Sequence, residues 1–286
     1  SLAINTVQFL TQFLMIYVFR NYYLYLIVAI VSQITNNIIT SIIVSKMYPD
    51  YYPKGKLDAN TVGSINGRIK DLFIAKFGGV VLNSADTIVI SAFLGLTLLA
   101  VYQNYYFVMS SVCGIMEILL TSITAGLGNS YITESKEKNY TDLKKITFMF
   151  FWLTGMCTSC FLGIFQPFMR LWVGEKFLMG FSVVVCLCVY FYLYETTRLL
   201  NVFKNAGGIW HEDRFRPLIS AIVNLALNLI SVNYIGIYGI VLSTIVALAV
   251  IEIPWLLQNI FTVMYDTSLF KDYFKMFVSW IIATVF

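Results

Sequence analysis

An all-α, polytopic transmembrane helix bundle is the fold class that this sequence predicts, and three observations predict it. Hydrophobic side chains make up 59% of the 286 residues and charged ones only 12%. The mean hydropathy is +0.77, far from the mix that lets a soluble domain cover itself with polar groups. The apolar residues gather in runs close to the ~20 residues that a bilayer core requires. The basic residues gather in alternate gaps between those runs, as the retention of Lys and Arg in cytoplasmic loops demands.

Taken in order, the expected spans are residues 2–19, 22–45, 71–95, 102–128, 146–166, 178–203, 217–234 and 237–264, with 274–286 as the start of a ninth. The chain starts without Met and stops inside an apolar run, so an internal fragment with about nine spans is expected. Short connections alternate with longer ones. The short set lies around Arg20, around Gly95 to Ala100, at FQPFMRLWVGEKF (165–177) and at NYIGIYG (233–239). The longer set, 46–70, 129–145, 204–216 and 264–273, is too small to fold as a catalytic domain. If the longer set is cytoplasmic, only Arg20, Arg170 and Lys176 of the 19 basic residues lie outside. The net charge of +4 then reflects topology and contact with anionic lipid. No basic-aromatic module for nucleic acid is present, so no nucleic-acid partner is expected.

Covalent chemistry finds little support. His211, the lone histidine, sits in WHEDRF without convergent ligands, and a solvated loop is expected. Cys157 and Cys160, like Cys186 and Cys188, lie in apolar runs without His partners or an electropositive setting, so packing is expected and no metal or cofactor. A phosphate-cradling glycine loop and a nucleophile elbow are both missing. The chain is read as no enzyme.

Polar residues inside the spans carry the interest, because a charge at a bilayer centre costs ~2.5–3.5 kcal/mol on insertion scales and faces the bundle interior or a hydrated cavity. In the third span Lys76, Gly79, Asn83 and Asp86 share one face. In the fourth, Ser110, Gly114, Glu117, Thr121 and Gly128 do the same; the small members fit close helix packing, but Glu117 needs a partner, water or a proton. The sixth carries Cys188, Glu195, Arg198 and Asn205 along one side. Glu195 and Arg198 at i, i+3 could neutralise one another, or Arg198 could offer its fork to an anion. The seventh aligns Ser220, Asn224, Asn228 and Ser231, for interhelical hydrogen bonds or ligand contact. In the eighth, Glu252 precedes Pro254, an acid beside a kink site, either lining a cavity or packing locally. Polar stripes on successive helices describe a bundle around a hydrated path, which suggests a transporter.

Particular strings resemble a family. NSADTIVISAFLGL followed by YQNYYFVMSSVCGIMEILLTSITAGLGNS is similar to the seventh and eighth spans of bacterial polysaccharide repeat-unit flippases. These are the O-antigen and capsule exporters of the multidrug/oligosaccharidyl-lipid/polysaccharide superfamily. FMRLWVGEKF, NVFKNAGGIWHEDRFRPLISAIVNLALNLISV, GIYGIVLSTI and NYYLYLIVAIVSQITNNIITSIIVSKMYP match in the same order, so the likeness covers nearly the whole chain.

The resemblance implies two six-helix lobes in the complete protein. Residues 1–46 would be the last two helices of the N-terminal lobe, 47–70 the cytoplasmic inter-lobe loop, 71–264 the C-terminal lobe and 265–286 the start of a further helix. It implies alternating access in the bacterial cytoplasmic membrane, moving an undecaprenyl-diphosphate-linked oligosaccharide between leaflets for surface-polysaccharide synthesis, with a proton or sodium ion as coupling partner. Membrane lipids and other polysaccharide-assembly proteins are the further partners. On this reading Lys76 and Arg198 hold the diphosphate, Asn83, Asn104 and Tyr105 contact sugar, and Asp86 or Glu117 exchanges the ion, with Glu195 and Glu252 as further coupling acids. A lipid II flippase or a multidrug exporter of the same superfamily is the nearest rival. A polysaccharide polymerase or acyltransferase fits less well, because it needs a sizeable outer loop or a catalytic His.

Overall fold

The computed structural model describes residues 2–49 and 55–285, and among these every regular element is helical. Two compact units form, one up to Val62 and one from Gly63. The first is a helical hairpin of α1 (Leu2–Tyr17) and α2 (Tyr22–Met47). Asn21 caps α2, its side-chain oxygen accepting from the Tyr23 and Leu24 amides at 2.9 and 3.3 Å, which satisfies two of the donors a helix start leaves orphaned. Gln12 donates across the hairpin to the Tyr25 carbonyl at 3.3 Å.

The second unit holds α3 (Ala59–Val89) from Gly63 onward, α4 (Leu96–Thr133), α5 (Lys136–Val173), α6 (Phe181–Ala206), α7 (Arg216–Ile235), α8 (Ile237–Val246), α9 (Ile253–Val263) and α10 (Phe270–Val285). Among the described residues seven helices are long and apolar enough to cross a membrane, counting α3 with its π-turn extension Ile90–Leu94 and α8 with α9 as one. The chain is a multi-pass membrane protein. At the first expected span and at the start of the ninth lie α1 and α10, of 16 residues each.

Several helices extend beyond the expected boundaries on the side of the longer connections, while α1 ends at Tyr17 and α6 starts at Phe181, inside theirs. α3 starts at Ala59 rather than at 71, with Asp58 accepting from the Thr61 amide at 3.0 Å. The expected inner loop 129–145 is helix except for Glu134 and Ser135, and Ser135 caps α5 through the Lys138 amide at 3.3 Å. Hydropathy detects only the membrane-embedded part of a helix, whereas hydrogen bonding propagates into water while no breaker intervenes. Pro254 is accommodated as a break of another kind. The π-turn Ala247–Glu252 ends one residue short of it, at the turn that a proline ring distorts.

Helix α6 is the axis of the unit. It packs against α4, α5, α8 and α9, and Val184, Leu187, Phe191, Leu199, Leu200 and Phe203 are sealed at 0–1% exposure. In lipid such contacts gain dispersion energy rather than escape from water, so close fit decides their worth. Beside the cavity described below α3 comes close to the start of α7. A methyl at Gly78 would fall 2.6 Å from the Pro217 carbonyl carbon, against backbone that cannot yield. Gly78→Ala is therefore expected to cost about 1–3 kcal/mol by overpacking, read as a lowered unfolding temperature in detergent. Gly79→Ala, where nothing lies within 4 Å of the added methyl, is the control. Equal behaviour of the two variants would remove the packing argument.

Candidate functional site

The polar stripe of α3 does face an interior. Lys76, Gly79, Asn83, Asp86 and Thr87 line a cavity of ≈ 430 Å³ whose other walls come from α4, α6, α7 and the α8–α9 segment. α4 contributes Tyr102, Gln103 and Tyr106. α6 contributes Tyr190, Tyr194, Arg198, Asn201 and Asn205, spaced by three or four residues so that they form one stripe. Trp210 follows in the connection to α7, with Thr244 and Glu252 on the far side.

On the cavity wall Asp86 is tied to two other helices, α7 and α8. Its Oδ1 accepts from Asn228 Nδ2 at 2.8 Å, and its Oδ2 accepts from Thr244 Oγ1 at 2.9 Å. Asn224 donates to Thr244 Oγ1 at 2.8 Å, and Ser231 meets Ser243 at 3.1 Å. The α7 stripe of Ser220, Asn224, Asn228 and Ser231 is fully or largely buried, and its amides and Ser231 hydroxyl serve interhelical bonding. The partners of Asp86 are neutral groups.

Arg198 is held on two sides. Nη1 donates to Glu195 Oε1 at 2.7 Å and to the Cys113 carbonyl at 2.8 Å, while Nη2 donates to Glu117. The pairing of Glu195 with Arg198 and the fork offered to an anion were alternatives in the sequence; the fork is already filled by carboxylates. Glu195 is wholly buried behind Arg198 and lines neither the main cavity nor a second groove of ≈ 260 Å³ on the α4 side, which Glu117, half exposed, does line. Lys76 has no carboxylate partner among the described residues, which makes it the one uncommitted cation on the main cavity wall.

Glu252 is both cavity-lining and packed. It is 3% exposed and forms an ion pair with Arg216, which is also 3% exposed. Arg216 Nε and Nη2 each donate to one oxygen of Asp213 at 2.7 Å, and Nη2 reaches Asn201 Oδ1 at 3.0 Å. Lys204 lies 3.3 Å from Asp213 and 4.4 Å above the Trp210 ring. This neutral four-charge cluster of Lys204, Asp213, Arg216 and Glu252 went unnoticed in the sequence. The i, i+3 spacing of Asp213 and Arg216 was its only local signal.

Two expected sugar contacts lie elsewhere. Tyr105 is 0% exposed and turned into helix packing, its hydroxyl donating to Gln166 Oε1 at 2.9 Å and accepting from the Met179 amide at 3.1 Å. Asn104 lines neither the main cavity nor the groove. The residues that do supply aromatic and amide surface there, Tyr102, Gln103, Tyr106, Tyr190, Tyr194 and Asn201, could have been found from the three-and-four spacing on α4 and α6. His211 has a largely exposed side chain, as expected of a loop, and meets Asp71 at 2.8 Å. The cysteines are free. Among the described residues no group of three or more His, Cys, Asp or Glu could hold a metal ion. Comparison with protein-family models, curated proteins and solved structures finds no match to this chain.

Proposed function

We propose that this chain is part of a bacterial cytoplasmic-membrane transporter that moves an undecaprenyl-diphosphate-linked oligosaccharide from the inner to the outer leaflet by alternating access. The observation that carries the reading is the lining of the main cavity, which combines tyrosines, amides and an uncommitted lysine inside a membrane bundle. A sugar needs flat aromatic faces and amide hydrogen bonds, and a phosphate needs a cation. A cavity built for hydrophobic cations would instead want acids without matching bases. Here Glu252 pairs with Arg216, and Glu195 and Glu117 share Arg198. Asp86, held by neutral partners, is the residue we assign to exchange of the coupling proton or sodium ion.

The test is transport of a fluorescent lipid-linked oligosaccharide by the full-length protein in proteoliposomes, beside transport of a hydrophobic cation dye. Lys76→Gln is expected to slow glycan-lipid transport about tenfold, because a charge-assisted contact worth about 1.5–3 kcal/mol becomes a neutral one. Transport of the dye in preference to the glycan lipid would replace this reading with that of a drug exporter.

A further inference from the structure

A larger cleft, of ≈ 800 Å³, opens between the polar start of α3 and the connection from α6 to α7. Among the described residues it shares only Leu72 and Trp210 with the main cavity, so it lies outside the site to which transport is assigned. Ser64, Gly67, Arg68 and Asp71 repeat along its α3 wall at helical spacing, and a methyl on Gly67 would meet nothing within 4 Å, which leaves that wall open. The opposite rim, from His211 to Phe215, is fixed from within. Asp213 and Ile209 are each 1% exposed, and Asp213 is bound by Lys204 and Arg216. A rim anchored in this way costs little to order when a ligand arrives.

The charges of the cleft are unevenly matched. Asp71 is answered at both oxygens, by His211 Nδ1 at 2.8 Å and by Arg214 Nη1 at 3.2 Å. Arg68 and Lys70 are exposed and have no carboxylate partner among the described residues, and Glu212 on the rim has no basic one. Arg68, Lys70 and Arg214 thus outweigh Asp71 and Glu212 by one positive charge. One turn further along α3 the lining turns apolar with Leu72 and Ile74, and Phe215 supplies an exposed apolar face on the other side. Cations beside apolar surface at the water-facing end of a membrane helix suit an amphiphile with an anionic head. A free phosphate compound would leave Leu72, Ile74 and Phe215 uncovered. We propose that this cleft binds one anionic phospholipid, its headgroup phosphate between Arg68, Lys70 and Arg214 and an acyl chain over Leu72, Ile74 and Phe215. The site does not rest on the transport reading above.

Native mass spectrometry of the full-length protein, released from a neutral detergent, tests it with phosphatidylglycerol, phosphatidylcholine and water-soluble glycerol phosphate as probes. Wild type is expected to retain phosphatidylglycerol about tenfold more tightly than phosphatidylcholine, the weight of one to two basic side chains beside an anionic headgroup. Arg68→Gln with Lys70→Gln is expected to erase that preference; both side chains are exposed and unpaired by carboxylates, so the fold should survive the change. Lys271→Gln with Lys275→Gln removes the same charge from exposed positions on α10 and is expected to keep the preference. Glu212→Gln removes the unmatched acid of the rim and is expected to tighten phosphatidylglycerol binding about threefold, a gain that no loss of fold could imitate. The proposal is overturned if wild type holds the two lipids equally, or if Glu212→Gln binds no tighter than wild type. It is overturned as well if the two double variants lose the preference alike, which would show a diffuse basic surface in place of a site. Displacement of phosphatidylglycerol by glycerol phosphate at a like concentration would assign the cleft to a free phosphate compound and overturn the lipid.

Discussion

Replacing Arg216 by Ala is expected to lower stability by about 3–5 kcal/mol, the cost of breaking a buried ion pair and leaving its partners behind. Arg216 donates to both oxygens of Asp213 at 2.7 Å, to Asn201 at 3.0 Å, and pairs with Glu252. Asp213 is 1% and Glu252 3% exposed, so neither can recover its hydration. Without the arginine, Lys204 stays beside Asp213 and Glu252 loses its ion-pair partner. Arg216→Lys should recover only part of the loss, because a point charge cannot make the parallel bonds of a planar fork. Arg216→Met combined with Glu252→Gln should recover more, since it leaves Lys204 and Asp213 as a balanced pair. Thermal and denaturant unfolding in detergent read all three. An alanine variant within about 0.5 kcal/mol of wild type, the range of an ordinary surface change, would show that the cluster is hydrated and not structural.

The larger effect on transport is expected at Asp86. Asp86→Asn keeps the size of the side chain and removes its ability to ionise, and it should slow glycan-lipid transport by at least about tenfold, the weight of one charge-assisted contact. Stability should fall by only about 1 kcal/mol, because one amide oxygen can still accept from Asn228 or Thr244 while the amide nitrogen faces a donor. Membrane insertion should become slightly easier, since a neutral amide is cheaper to bury than a carboxylate. Parallel measurement of transport and unfolding temperature separates the roles. Normal transport from a stable Asn variant would end the coupling role, whereas a large drop in stability that tracks the loss of transport would make Asp86 a structural tie between α3, α7 and α8.

Much of this site was legible in one dimension. Lys76, Gly79, Asn83 and Asp86 repeat at helical spacing, and that stripe lines the cavity. Glu195 and Arg198 are neighbours at i, i+3 and do pair. Tyr105 shows the limit of the method. Its position in an aromatic, amide-rich string suited a sugar contact, yet a tyrosine hydroxyl satisfied by Gln166 and Met179 is a packing device. Nothing within a turn of Tyr105 announces either partner.

By itself the sequence determined that the chain is a helical, multi-pass membrane protein, where its apolar stretches lie, and which faces of α3, α4 and α6 are polar. Those properties follow from composition and from contacts within one or two helical turns, which a periodic pattern records. Only the tertiary structure decided where each polar face finds its partner. Glu117 meets Arg198 across α4 and α6, Asp86 meets Asn228 and Thr244 across three helices, and Glu252 meets Arg216 across the cavity floor. The physical reason is that a charge buried among helices must be answered by a group distant in the chain. Helical periodicity says which way a side chain points and nothing of what stands opposite.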